Sequence, residues 1–300
     1  MADELEGLKF FIRTFGCQMN ENDSGHLAGM LTRAGARPAS SPEDSDIILI
    51  NTCAVREKSE EKIYSYLGRL APLKMRTGRL IGLAGCVAQL RRGELLKKCP
   101  AADFVIGPDN YFRLVDVLLA ARTEKIMKTE WHADWHEFPA MDTARESPVT
   151  AYVTIMEGCN NFCAYCVVPY ARGREKFRPS RNILQEIEDL AGRGYKEIQL
   201  LGQNVNSYRD PVSGEPFSAL LGRVARTPGI EWIRFITSHP KDLGDDIIAA
   251  MAENRNICRQ LHLPFQSGSS AVLARLNRGY TRELYLDIVD RLRDKMPGIG

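Results

Sequence analysis

No apolar run in the 300 residues approaches the roughly 18 that a membrane-spanning helix needs. The opening MADELEGLKF is acidic where an export or organelle signal would be basic, so the expected compartment is the cytoplasm, with no membrane association. An excess of charge is also missing. Forty Lys and Arg against 38 Asp and Glu leave a formal net charge of +2, too little for a dedicated nucleic-acid module, and any RNA contact must be local. Histidine (five) and tryptophan (three) are sparse. Cysteine is not, at eight. In a chain without an export signal, reduced thiols argue against a disulfide framework and for metal ligation or redox chemistry. The length, with 44% hydrophobic and 26% charged residues, predicts about two globular domains.

Residues 8 to 121 alternate short apolar runs with amphipathic stretches. LKFFIRTF, IILIN, LIGLA and DFVIG read as strands, separated by helices over Glu21–Ala34, Glu57–Leu73 and Leu90–Lys98 and followed by one over Tyr111–Ala121. Leu27, Met30, Leu31 and Ala34 fall at i, i+3, i+4 and i+7, one apolar stripe for packing on a parallel sheet. The expectation is an open parallel α/β domain over residues 1–147. Cys17, Cys53 and Cys86 each stand just past a strand's carboxyl end, the edge where open parallel sheets bind ligands, so three soft donors are predicted to share one crevice. Any one of them alone could be a small buried packing residue, as is the reading for Cys99 and Cys258.

Residues 123–148 show little period and read as a linker, with a boundary near Ser147 and Pro148. Its Trp131, His132, Trp135 and His136 read as a packed connector rather than a ligand set. From there AYVTIM, EIQLL, WIRFI and RQLHLP read as strands alternating with helices over Ile183–Arg193, Phe217–Arg226, Asp242–Glu253, Ala271–Leu276 and Thr281–Lys295. This is a βα-barrel pattern over residues 148–300, incomplete at four strands.

Directly after the first of these strands comes EGCNNFCAYCVVPYARG, which puts Cys159, Cys163 and Cys166 in one loop with spacing CxxxCxxC. A four-iron cluster normally takes four cysteines, so three would leave one iron open to an outside ligand. Zinc is the rival, but structural zinc sites arrive as paired knuckles and no histidine lies close by.

CxxxCxxC after the first strand of a βα-barrel resembles the radical S-adenosylmethionine (SAM) superfamily. The resemblance implies that the open iron chelates the amine and carboxylate of SAM and that the cluster's electron cleaves the sulfonium to a 5′-deoxyadenosyl radical. The upstream TFGCQMN, NTCAVRE and GCVAQ are similar to the amino-terminal domain of the methylthiotransferases, and the similarity covers essentially the whole chain. That family implies a second, auxiliary 4Fe–4S cluster on Cys17, Cys53 and Cys86 that handles the transferred sulfur. It also implies an electron donor such as flavodoxin or ferredoxin, and a monomer is expected. CVVPYARGREKFRPS, LLGQNVNSY, TSHPKDL, LHLPFQSGS and LNRGYTRE most resemble members that methylthiolate carbon 2 of N6-isopentenyladenosine at adenosine 37 in the anticodon loop of transfer RNA. Sister members act on threonylcarbamoyladenosine or on a ribosomal protein aspartate. An unactivated aromatic C–H bond suits a hydrogen-abstracting radical, and a loop base is cheaper to splay out than a paired one.

By the same resemblance Gly202, Gln203 and Asn204 would hold the methionyl amine of SAM; the alternative is an ordinary turn that satisfies loop backbone groups. Ser238, His239, His262, Gln266 and Ser267 follow the third and fourth strands on the carboxyl rim, where cofactor or substrate contact is expected, though His262, inside a strand, could face the core. Arg172, Arg174, Lys176, Arg178 and Arg181, near Tyr165 and Tyr170, form a basic run suited to phosphates, one of which could instead serve the cofactor carboxylate. Family members continue into further barrel and a small RNA-gripping β-barrel. Neither is in these residues, so the expectation is a truncated piece that binds transfer RNA weakly.

Overall fold

The computed structural model describes residues 4–54, 57–137, 143–145 and 147–300, with the side chains of residues 57–60 left aside. The chain forms two compact units: Met1–Arg145 with Tyr170–Arg172, and Glu146–Pro169 with Gly173–Gly300. No helix among the described residues is long and apolar enough to cross a membrane.

In the first unit the strands are β1 (Lys9–Phe15), β2 (Arg37–Pro38), β3 (Ile47–Thr52), β4 (Leu80–Gly85), β5 (Phe104–Ile106) and β6 (Ile126–Lys128), and the helices α1 (Gln18–Arg33), α2 (Glu57–Thr77), α3 (Cys86–Arg91), α4 (Gly93–Lys98) and α5 (Leu114–Ala120). The sheet order is β2-β1-β3-β4-β5-β6, all parallel. β3 is buried along its whole length, as expected of a strand covered on both faces. Its side chains alternate accordingly. Ile47 and Leu49 join Leu27, Leu31, Leu114 and Leu118 in one core layer, whereas Ile48 and Ile50 join Ile63, Leu67, Val87 and Leu95 in the other.

Three features depart from the expectation. The 123–148 segment is not all linker, because Ile126–Lys128 pairs with β5 as the sheet's last strand. The helix expected over Leu90–Lys98 is two, broken at Arg92 (φ 46°), and its first half begins at Cys86. The short strand β2 was too brief to show a period. The linker's Trp131, His132, Trp135 and His136 are within the described residues; residues 138–142 and 146 lie outside them. His132 donates its backbone N–H to Asp109, and Phe112 stacks on His136 at 3.9 Å between centroids, which fits the packed-connector reading.

The second unit carries β7 (Thr150–Thr154), β8 (Met156–Glu157), β9 (Lys176–Phe177), β10 (Glu197–Leu201) and β11 (Trp232–Phe235). Its helices are α7 (Ser180–Gly192), α8 (Phe217–Ala225), α9 (Asp245–Glu253), α10 (Ser270–Arg275) and α11 (Arg282–Lys295), while the short α6 (Val168–Arg172) is divided, Tyr170–Arg172 being counted in the first unit. β7, β10 and β11 form a parallel sheet in the order β11-β10-β7, and β8 and β9 an antiparallel pair. Val153, Leu200 and Ile233 pack against Ile183, Ile187, Leu220, Ile247 and Leu292 from the helices.

The fourth strand expected at RQLHLP does not form. Pairing with β11 extends only to the Ile233–Ile257 bridge, and the next backbone groups bond elsewhere: Leu261 N–H donates to the Gly300 carbonyl at 2.9 Å and Gly300 N–H to Arg259 at 3.0 Å. His262 is consequently exposed in a loop and does not face the core.

Gly82 on β4 lies under the Phe104 ring, where an added Cβ would come within 2.0 Å of Cζ. Gly82→Ala is expected to destabilise the first unit by about 1–3 kcal/mol through overpacking. Faster amide exchange in β3 and β4, partly restored by adding Phe104→Leu, would register it; unchanged exchange would contradict this packing.

Candidate iron–sulfur and cofactor sites

The sheet order of the first unit reverses between β1 and β3: the chain proceeds from β1 to the outer β2, then returns to β3 and continues through β4 to β6. Crevices at such switch points are where open α/β sheets bind ligands. Cys17 follows β1, Cys53 follows β3 and Cys86 follows β4, on three adjacent strands. Gly85 permits the tight turn before Cys86. Its φ is 92°, and a Cβ there would meet the Thr52 carbonyl at 2.3 Å.

A polar network backs this edge. Asn20 Nδ2 donates to Asn51 Oδ1 and to the Thr52 carbonyl, both at 3.1 Å, and Asn51 Nδ2 returns a bond to the Asn20 carbonyl at 2.9 Å. Arg172, 4% exposed, donates Nε to Cys86 Sγ at 3.3 Å and pairs with buried Asp23. The thiols are poised differently. A hydrogen bond with Cys53, helped by the Asn20 backbone and the Arg172 charge and opposed by burial, lowers Cys17 to about 6. Burial pushes Cys86 up, with Arg172 opposing it.

In the second unit Cys159 and Cys163 are buried and Cys166 is half-buried. Gly158 (φ 78°) opens their loop: a Cβ would lie 2.1 Å from the Arg174 carbonyl, and Cys159 N–H donates to the Gly173 carbonyl at 3.1 Å. Cys166 N–H closes a turn onto the Cys163 carbonyl at 2.9 Å. Burial raises Cys159 to about 11, against a hydrogen bond from the Asn161 backbone.

Gln203 and Asn204 already serve the fold, and Ser238 is buried in the loop after β11. Gln203 Oε1 accepts from Gly158 N–H at 2.6 Å, Asn204 Nδ2 donates to Asp242 at 2.7 Å, and Gly202 is pressed on Met156. Asn206 accepts the His239 N–H at 3.0 Å and so joins the loops after β10 and β11. Four buried atoms on these two loops, Asn204 Oδ1, Asn206 Nδ2, Ser238 Oγ and His239 Nε2, have no partner among the described residues. Buried polar atoms are normally bonded, so these four are available to a polar ligand. Gln266 (φ 62°) is exposed in the loop before α10, as is the start of that loop at His262.

The basic run divides. Arg172 and Arg178 are buried and paired with Asp23 and Glu186, which removes them from any phosphate surface. Arg174 and Arg181 are exposed, Arg174 lying over the Phe162 ring, and Tyr165 and Tyr170 are exposed as well. Cys99 and Cys258 are buried in the two units. The sequence reading missed Asp23, the Asn20–Asn51 pair and the Asn277–Arg278 corner. Asn277 was the legible one, since N-R-G after a helix is a turn signal.

Among the described residues no group of three or more His, Cys, Asp or Glu side chains is set to hold a single metal ion. The donor chemistry, three thiols at each place with buried N–H and guanidinium donors around them, fits the thiolate ligation of iron–sulfur clusters.

The model described as the radical SAM superfamily matches residues 153–299, and that described as uncharacterized protein family UPF0004 matches residues 9–107. The fold is similar to that of the cobalamin-dependent SAM radical enzyme OxsB (TM-score 0.64, 96% of this chain and 48% of that one). It is likewise similar to that of the radical SAM methyltransferase TsrM from Kitasatospora setae (TM-score 0.64, 98% and 65%). Both are 12% identical, so the likeness is one of fold. These findings define a radical SAM protein. Curated relatives named tRNA-2-methylthio-N(6)-dimethylallyladenosine synthase are 46% identical over 98% of this chain and 66% of the relative in Thermotoga petrophila, 48% over 97% and 63% in an Anaeromyxobacter species, and 47% over 98% and 67% in Geobacter sulfurreducens. The chain belongs to the radical SAM methylthiotransferase family. It spans about two thirds of the length of these relatives. The family implies a 4Fe–4S cluster and SAM.

Two outcomes follow from the electrostatics. In the metal-free chain at pH 7, iodoacetamide should alkylate Cys17 about tenfold or more faster than Cys86, read by peptide mass spectrometry, since the thiolate is the nucleophile. His239, 6% exposed, accepts the Lys241 N–H at Nδ1, and burial, with Arg278 adding to it, lowers the ring to about 4. The folded state therefore resists the proton that the unfolded chain takes up near 6.5. Stability linked to His239 is whole above about 6.5 and is lost as pH falls toward 4, by roughly 2–3 kcal/mol. His239→Asn, which keeps a capping acceptor, should flatten that part of the stability–pH curve; an unaltered slope would contradict the assignment.

Proposed function

We propose that this chain methylthiolates carbon 2 of N6-isopentenyladenosine at adenosine 37 of transfer RNA, using two iron–sulfur clusters and SAM. The observation that carries this reading is the convergence of Cys17, Cys53 and Cys86 at the carboxyl ends of β1, β3 and β4, in addition to the CxxxCxxC loop after β7 and β8. The names of the curated relatives support the substrate.

Cys159, Cys163 and Cys166 would hold the SAM-activating cluster in residues 148–300, and Cys17, Cys53 and Cys86 an auxiliary cluster in residues 1–147. When bound, the first supplies the electron that generates a hydrogen-abstracting radical from SAM. The chain's own residues orient and shield. Gln203 fixes the entry to the cysteine loop through Gly158, while Gly202, with no side chain, lets the loop after β10 lie against Met156. Asn204, Asn206, Ser238 and His239, with Gln203 beside them, would hold the polar groups of SAM through their unpartnered atoms. Gln266, on its exposed loop, is left to substrate or cofactor contact. Arg174 and Arg181 supply the local positive charge for the anticodon loop. A flavodoxin- or ferredoxin-like donor supplies electrons to a monomeric, cytoplasmic enzyme.

Anaerobic incubation of the reconstituted chain with SAM, a reductant and transfer RNA carrying isopentenyladenosine, followed by nucleoside mass spectrometry, tests the reading. The 2-methylthio nucleoside is expected. Alanine at Cys159, Cys163 and Cys166 should abolish 5′-deoxyadenosine, whereas alanine at Cys17, Cys53 and Cys86 should spare it and abolish methylthiolation. If 5′-deoxyadenosine forms but the nucleoside stays unmodified even at saturating transfer RNA, the substrate assignment falls; if neither forms, so does the cluster assignment.

A further inference from the structure

The cysteine loop of the second unit is clamped by the corner after α10. Ala164 N–H donates to the Leu276 carbonyl at 3.0 Å, and Asn277 Nδ2 donates to the carbonyls of Asn161 and Phe162, each at 3.0 Å. Asn277 (φ 54°) and Gly279 (φ 67°) both adopt the left-handed backbone that makes the corner tight. Between them Arg278 turns inward. It is 6% exposed, its Nη1 donates to Cys163 Sγ at 3.1 Å, and its guanidinium stands 5.4 Å from the centroid of the Tyr280 ring, whose hydroxyl is anchored on the Phe265 carbonyl at 2.7 Å.

The other buried arginines have carboxylate partners: Asp23 for Arg172 and Glu186 for Arg178. Arg278 has no carboxylate in ion-pair range among the described residues, and its Nε has no hydrogen-bond partner there. A buried, uncompensated cation is costly, and its cost falls when negative charge arrives beside it. The group it touches is a thiol that becomes a thiolate on ligating iron.

We propose that Arg278 is a positioning residue for the cluster at Cys159, Cys163 and Cys166, holding Cys163 in place and setting the cluster's reduction potential through an unneutralised positive charge. The inference rests on the reading of that triad as a 4Fe–4S site and adds the residue that tunes it. Reduction adds an electron to an already anionic assembly, so a nearby cation favours the reduced state, and its removal disfavours it.

The test uses the full chain with Cys17, Cys53 and Cys86 replaced by alanine, so that one cluster reports, and follows the midpoint by redox titration with electron paramagnetic resonance. Arg278→Gln is expected to lower the ratio of reduced to oxidised cluster at a fixed potential by about tenfold, a midpoint shift of about 59 mV for one electron. Arg278→Lys, which keeps the charge, should stay near the parent. An unshifted Gln variant, or a Lys variant shifted as far as Gln, overturns the proposal. If Arg278→Gln takes up no cluster, normal uptake and an unshifted midpoint in Arg278→Lys support the charge role, and loss of the cluster from both overturns it. A parent that takes up no cluster overturns both this proposal and the reading beneath it; a parent with a cluster and an indifferent Arg278→Gln overturns the role of Arg278 alone.

Discussion

Parallel strands deliver every carboxyl end to the same edge of a sheet, and both candidate sites depend on that constraint. In the first unit it allows three cysteines far apart in sequence to stand on neighbouring strands, because β1, β3 and β4 are adjacent in the sheet although a helix or longer connection separates each from the next. In the second unit the same geometry puts the loops after β10 and β11 side by side, so that Asn206 of one accepts the backbone N–H of His239 from the other. An antiparallel arrangement would send alternate loops to opposite edges, and the donors would separate.

The buried charges follow a common logic with one exception. A guanidinium away from water needs a negative partner, and Arg172 and Arg178 have theirs in Asp23 and Glu186. Both pairs also brace local structure: Arg172 reaches Cys86, and Arg178, from the loop before α7, is tied to Glu186 within that helix. Arg278 has the loop contact but not the carboxylate. The exception falls against Cys163, one of the three thiols of the candidate cluster site, so the missing carboxylate coincides with the place where a thiolate is proposed to form.

The parts of this architecture legible in the sequence were those with strong periodicity or conspicuous residue types. The apolar runs of β1, β3, β4, β7, β10 and β11 and the amphipathic stretch of α1 all formed as expected. The six cysteines stood out by position and spacing. RQLHLP misled because alternation reports which side chains want burial, not where the backbone finds partners, and here Arg259 and Leu261 bond to Gly300. The basic run misled for a related reason: Arg172 and Arg178 look like surface charge until Asp23, far away in sequence, and Glu186, two turns into a helix, are seen beside them. Tertiary partners of this kind leave no local pattern. Asn277 and Gly279 did leave one, a turn signal, but a turn signal does not say which loop the turn will brace.

The unpartnered atoms of Asn204, Asn206, Ser238 and His239 bear on how much of the second site the fold prepares in advance. Each has no protein partner among the described residues, and since a buried polar atom left without a bond would cost about 1–3 kcal/mol, the fold leaves this polar demand to be met from outside the protein. The surrounding residues do not relieve it by collapse. Asn204 is tied to Asp242 through its nitrogen, His239 accepts from Lys241 at Nδ1, and Asn206 is committed to the His239 backbone, so every side chain but Ser238 is held in place by its other polar atom. A set of donors and acceptors fixed in this way has already lost its rotamer freedom, and a ligand that satisfies them recovers the polar cost without ordering the loops again. The rigidity that holds these atoms away from protein partners is therefore what makes them suited to a small polar cofactor.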